Sequence, residues 1–157
     1  MIIRLVCIGK TTQPYLKEGI SQYVKRLVHY ARFEYLELTD VKVSKGMSEE
    51  EVKGRESAEL MKYCRDGSYV ILFDEGGKAM GSIAFAKHLE KRFHAVPKEM
   101  VFMIGGPYGF HEQIYARADE KIALSAMTFS HQMVRLIAVE QIYRAMTILR
   151  NEPYHHV

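Results

Sequence analysis

The sequence predicts an α/β fold, a largely parallel sheet with helices on both faces. Three observations carry that expectation. Short runs rich in aliphatic and β-branched residues alternate with longer stretches of helical period. One run, residues 69–73, is apolar without interruption, as in a strand buried on both faces. No internal repeat or low-complexity linker divides the chain, and 157 residues at 48% hydrophobic content suffice for one core, so a single domain over residues 1–157 is expected.

The elements follow in order. Residues 2–8 read as the first strand, closed by Gly9. Pro14 opens a helix on which Leu16, Ile20, Tyr23, Leu27 and Tyr30 recur every three or four residues, making one apolar face. Residues 33–38 alternate as a second strand, and the polar stretch 40–46 is a loop. Ser48 and Glu51 have capping-box spacing, which starts a helix running to about Cys64. Asp66-Gly67 precedes the strand at 69–73, which should be central. Ser82 caps a helix through Leu89 and Phe93, and Pro97 precedes a fourth strand at 100–104. Gly105-Gly106-Pro107 breaks that strand; a short helix at 113–118, a brief strand at 121–124 and a long helix at 130–149 complete the chain.

Composition excludes several classes. No apolar run approaches the roughly 20 residues of a membrane span, and the amino terminus reads directly as a strand, so neither membrane insertion nor a secretion signal is expected. Cys7 and Cys64 stand alone, which offers no disulfide framework and no paired-cysteine metal motif, and a reducing cytoplasm fits. The net charge of +3 is compatible with a polyanionic partner without requiring one.

Four features carry candidate chemistry. The first is the glycine turn Gly105-Gly106-Pro107-Tyr108-Gly109 after a buried strand, where parallel sheets place ligand crevices. It lacks the dinucleotide spacing and the lysine and hydroxyl of a phosphate loop, and as an isolated motif it reads equally as a tight turn. The second is the loop Leu124-Ser125-Ala126-Met127-Thr128-Phe129, whose backbone groups and apolar side chains suit an adenine ring and a thioether, or else form a plain βα connection capped by Ser130. The third is the last helix, apolar around most of its circumference, which calls for a second covering surface: a partner copy, or a position wholly inside one chain. On it Arg144 reads as an ion-pair partner of Glu140, or as a cation for RNA. The fourth is the tail, where Tyr154 is large enough to anchor the chain and His155 offers an imidazole for acid–base work. Adjacent histidines without nearby carboxylates make a poor ligand set, so no metal is expected.

In this order and spacing the motifs 70–78, 102–109, 124–132, 140–145 and 153–155 together resemble, over the whole chain, the bacterial family that methylates N3 of a pseudouridine in 23S (large-subunit) ribosomal RNA, a small branch of the SPOUT superfamily. The resemblance implies a C-terminal trefoil knot, S-adenosyl-L-methionine as cofactor and a homodimer formed through the C-terminal helix. It implies cofactor contacts at Phe73, where leucine is usual, at Gly105, and at Leu124, Ser125, Ala126, Met127, Thr128 and Phe129. It also implies that the tail completes the active site beside the partner's cofactor. From these residues we expect a catalytic set of His155, Arg144 and Tyr154: a base, a cation for the developing charge and a positioning phenol. With one small domain, an assembled ribosomal particle is the expected substrate. Two other classes compete: a non-enzymatic ribosome-binding dimer using Lys10, Lys17, Lys25, Arg26 and Arg32, and an enzyme that holds a nucleotide phosphate in the glycine turn.

Overall fold

The structure, a computed structural model, describes residues 1–95 and 98–156. Pro97, expected ahead of the fourth strand, and Val157 lie outside the described residues. Within them strand and helix alternate: β1 (Ile2–Ile8), α1 (Pro14–Leu27), β2 (Arg32–Leu38), α2 (Glu49–Met61), β3 (Ser68–Ala79), α3 (Ser82–Ala95), β4 (Glu99–Ile104), α4 (Glu112–Arg117), β5 (Glu120–Ala123) and α5 (Met133–Leu149). One sheet results, ordered β2-β1-β4-β3-β5, and every neighbouring pair in it is parallel.

Period-two alternation along the strands sorts the core into two layers. Leu5, Cys7, Ile71, Phe73, Phe102 and Ile104 pack with α1, α3 and α5 on one face. Val6, Ile8, Val70, Leu72, Val101 and Met103 pack with Leu60 of α2 and Ile114 of α4 on the other. Helices therefore cover both faces, as the sequence predicts. The middle place, however, belongs to β4; the apolar run 69–73 lies one strand further out, between β4 and β5, and its burial comes from neighbours on both sides.

β3 also continues past the apolar run, with a break that positions the site. Phe73 and Lys78 both pair with Ile122 of β5, so residues 74–77 leave the ladder as a bulge. Gly77 permits this, because a Cβ there would lie 2.6 Å from the backbone of Lys121 and Ile122. The bulge carries Asp74 and Glu75 off the carboxyl end of the sheet.

Several boundaries differ from expectation for local reasons. Ser48 accepts from the Glu51 amide at 3.1 Å, so half of the expected capping box forms. Ser82 does not cap α3: the Gly81 carbonyl accepts from the Phe85 amide at 2.9 Å, while the Ser82 hydroxyl bonds Gln141 of α5 at 2.8 Å. Ser130 does prepare α5, accepting the Met133 amide on its hydroxyl at 3.1 Å and the Val134 amide on its carbonyl at 3.0 Å. Asn151, with φ of 55°, ends α5 two residues before Pro153 and turns the tail back along the helix. α5 itself lies against both α1 and α3, and none of its residues is exposed. Much of the apolar circumference for which the sequence calls for a covering surface is thus covered within one chain.

Candidate functional site

A cavity of about 500 Å³ opens at the carboxyl ends of β3, β4 and β5, a size suited to a nucleoside-bearing small molecule. Its walls come from the β3 bulge, the glycine turn and the loop leading into α5. Of the residues expected to hold a cofactor, Phe73, Gly105, Leu124, Ser125, Met127, Thr128 and Phe129 line it. Ala126 sits in the same loop but is not part of the wall. Phe73 is fixed by stacking on Phe102, with ring centroids 5.2 Å apart. The Ser125 hydroxyl accepts from the Met127 amide at 3.0 Å, which tightens the loop and leaves Met127 76% exposed at the rim.

The glycine turn folds onto itself through a bridge between Gly106 and Gly109. A Cβ on Gly105 would lie 3.2 Å from the Gly109 backbone, and one on Gly106 would collide with the Glu56 carboxylate of α2. Close packing behind the turn therefore requires these glycines, beyond any approach of a ligand. Glu56 is buried, its Oε1 has no hydrogen-bond partner among the described residues, and burial followed by the charge of Asp40 pushes its carboxyl up to about 7.

The cavity's charge is one-sided. Among the described residues two carboxylates line it, Asp74 and Glu75, and no lysine or arginine does; His131 is the one basic side chain in the wall. Asp74 is committed locally, accepting the Gly76 amide at 2.7 Å on one oxygen and the Tyr115 hydroxyl on the other. A phosphate group would find no lysine or arginine here among the described residues. A ligand carrying net positive charge finds complementary walls.

The tail forms a second cluster. Arg144 donates to Glu140 Oε1 from Nε and Nη2, at 3.1 and 2.6 Å, and this bonding raises its pKa. Tyr154 donates to the same oxygen at 2.9 Å, shares a contact of 3.1 Å with the Tyr23 hydroxyl, and lies under the Arg144 guanidinium, 4.8 Å from its ring centroid. Burial, then these bonds, raises the Tyr154 pKa. His155 Nδ1 lies 3.0 Å from Arg144 Nη1. Arginine only donates, so Nδ1 accepts and the ring proton resides on Nε2. The expected trio of Arg144, Tyr154 and His155 is therefore assembled, with Glu140 as its hub, but none of its members lines the cavity.

Sequence reading missed a further group. Arg135, fully buried in the first turn of α5, donates to the carbonyls of Ile8 at 2.6 Å, Gly9 at 2.8 Å and His131 at 3.1 Å, and to Thr11 Oγ1 at 3.0 Å. Gln132 adds a pair of bonds, accepting from the Thr12 amide at 2.9 Å and donating to the Lys10 carbonyl at 3.0 Å. Together they clasp the cavity loop to the loop after β1. The available signal was a lone arginine inside an apolar helical stretch, where a buried charge demands partners.

A family model described as "Predicted SPOUT methyltransferase" matches residues 1–155. The chain is 53% identical over 156 residues to the ribosomal RNA large subunit methyltransferase H of Parabacteroides distasonis, covering 99% of each chain. It is 49% identical to the protein of the same name from Christiangramia forsetii, again over 99% of each. The protein of that name from Cytophaga hutchinsonii is also 49% identical, over 99% of this chain and all of its own.

Proposed function

The chain belongs to the SPOUT methyltransferase family, and from that premise we propose that it transfers a methyl group from S-adenosylmethionine to N3 of a pseudouridine in 23S ribosomal RNA. Membership implies the C-terminal trefoil knot. The observation that carries the reading is the cavity wall: apolar side chains for an adenosine, two carboxylates and no lysine or arginine. S-adenosylmethionine supplies, when bound, a methyl group already activated on a positively charged sulfur. The same wall disfavours the competing nucleotide-phosphate reading, which needs a cation. Phe73 and Leu124 would border the adenosine, and the backbone of residues 124–129 would meet its polar edge.

The tail supplies the other half. Arg144, held taut by Glu140, is the group suited to stabilise negative charge as N3 loses its proton. His155 is less suited as the base in this arrangement, because its free nitrogen lone pair faces Arg144; accepting a proton requires that contact to open. Tyr154 positions both by bonding Glu140 and stacking beneath Arg144. Because this cluster stands apart from the cavity of its own chain, the active unit is a homodimer in which one protomer's tail serves the other's cavity. A mild charge of +3 favours docking on an assembled ribosomal particle in the cytoplasm over general RNA adhesion.

Calorimetric titration with S-adenosylmethionine tests the reading, with Thr128→Trp to fill the cavity from its exposed wall. Gly105→Trp would instead press on the Gly109 backbone. Saturable binding by the wild type, lost in a folded Thr128→Trp variant, is expected. A wild type that fails to bind the donor, alone and with ribosomal particles present, removes the methyltransferase reading and favours the ribosome-binding alternative.

A further inference from the structure

Asp74 and Glu75 stand side by side at the cavity, but only Glu75 has carboxylate oxygens free of protein partners among the described residues. Asp74 has both oxygens engaged, accepting the Gly76 amide on one and the Tyr115 hydroxyl on the other. Glu75 is exposed, lines the cavity, and has no hydrogen bond or ion pair among the described residues. It is placed there by the β3 bulge, which lifts residues 74–77 out of the ladder between Phe73 and Lys78. A solvated glutamate on a rigid strand would be unremarkable; one at the mouth of a cavity without lysine or arginine sets the sign of the local field.

We propose that Glu75 is a specificity-determining residue that favours the positively charged methyl donor over the product left behind. The inference rests on the cavity being the S-adenosylmethionine site. In the reaction the sulfur–methyl bond breaks as the nitrogen–methyl bond forms, and its electron pair returns to sulfur. The sulfonium becomes a neutral thioether, so donor and S-adenosylhomocysteine differ by one unit of positive charge and one methyl group. Apolar walls and backbone contacts recognise the two almost equally, since they share the adenosine and the amino-acid tail. Unpaired negative charge at the cavity tells them apart, and it tilts the competition for the site toward fresh donor.

The experiment is calorimetry on the full-length wild type, Glu75→Gln and Glu75→Asp, each titrated with S-adenosylmethionine and with S-adenosylhomocysteine at low and high salt. The amide should weaken donor binding roughly 5-fold, as expected for losing one solvent-screened charge pair, while product binding moves less than about 2-fold. Aspartate should restore most of the donor preference, and high salt should compress the difference between wild type and amide. Equal shifts for both ligands, or no shift for either, overturn the proposal while leaving the cofactor site intact. A wild type that binds neither ligand, alone and with ribosomal particles present, overturns the cofactor reading itself and this inference with it.

Discussion

Replacing Arg135 with methionine should destabilise the chain by about 3–5 kcal/mol, the range found when one member of a buried charged network is removed. The structure explains the size. Methionine fills the space of the aliphatic stem but donates nothing, so the carbonyls of Ile8, Gly9 and His131 lose this donor in a fully buried site. A stranded buried acceptor costs roughly 1–3 kcal/mol, and partial relaxation keeps the total toward the lower half of the sum. Glu37, whose carboxylate also lies 3.3 Å from Arg135 Nη1, is less affected, since it retains the Thr11 amide at 3.2 Å and the Tyr35 hydroxyl at 2.8 Å. Thermal unfolding should register a fall in Tm of about 10 °C or more, and urea titration should give the free energy directly. Arg135→Lys should recover only part of the loss, because an ammonium cannot reproduce the planar fork that reaches the Ile8, Gly9 and His131 carbonyls at once. A change below about 1 kcal/mol for the methionine variant would refute the clasp.

Other outcomes follow from the same geometry. The Glu56 carboxyl is raised from 4.5 to about 7, so the folded chain holds that proton more tightly than the unfolded one, and stability declines as pH rises through this window. Glu56→Gln, which mimics the neutral acid, should therefore stabilise by about 1–2 kcal/mol at pH 8 and by almost nothing at about pH 4, below the unfolded value; denaturant titrations showing a pH-independent difference would sink this account. Burial pushes the Cys7 thiol up to about 12, so a thiol reagent should label it only after unfolding, and rapid labelling in the native state would contradict its packing. Arg144→Ala should cut kcat by about 100-fold or more with donor affinity unchanged; a change confined to donor binding would place Arg144 at the cofactor instead. Mixing Arg144→Ala with Thr128→Trp, each inactive alone, should restore activity through mixed dimers. Persistent inactivity despite confirmed subunit exchange argues for a site built within one chain.

Much of the fold was legible because parallel α/β architecture writes itself locally. Most strands are apolar or alternating runs and most helices carry an apolar face, so elements could be placed within a few residues. Lateral order could not, because β3 and β4 are both buried on two faces and their sequences look alike. The β3 bulge was equally hidden: it depends on two residues sharing one partner on β5, a fact about register rather than composition. At the site, the glycine turn and the 124–129 loop were readable from small residues following strands. Asp74 and Glu75 were not singled out, because acidic residues after a strand ordinarily mark a solvated turn. Arg135 was passed over as one cation in a helix read for its apolar residues.

The separation of the two clusters is what links the fold to the proposed dimer. Val134 lines the cavity in the first turn of α5, and Arg144 lies ten residues further along the same helix. At 1.5 Å per residue their backbones are about 15 Å apart along the axis. Methyl transfer requires the reacting atoms within about 3–3.5 Å, so a group acting on the acceptor has to stand beside the cavity mouth. An arginine side chain cannot span the remainder, and α5 cannot bend to shorten it, being held by α1 and α3 along its length. The tail cannot carry the group across either, since Tyr154 is pinned between Glu140, Tyr23 and Tyr143. A second copy placing its own Arg144 over this cavity removes the difficulty without deforming either chain. The half-exposed apolar side chains left on α5, among them Met133, Ile137, Ile148 and Leu149, are where such a copy would bury its contact.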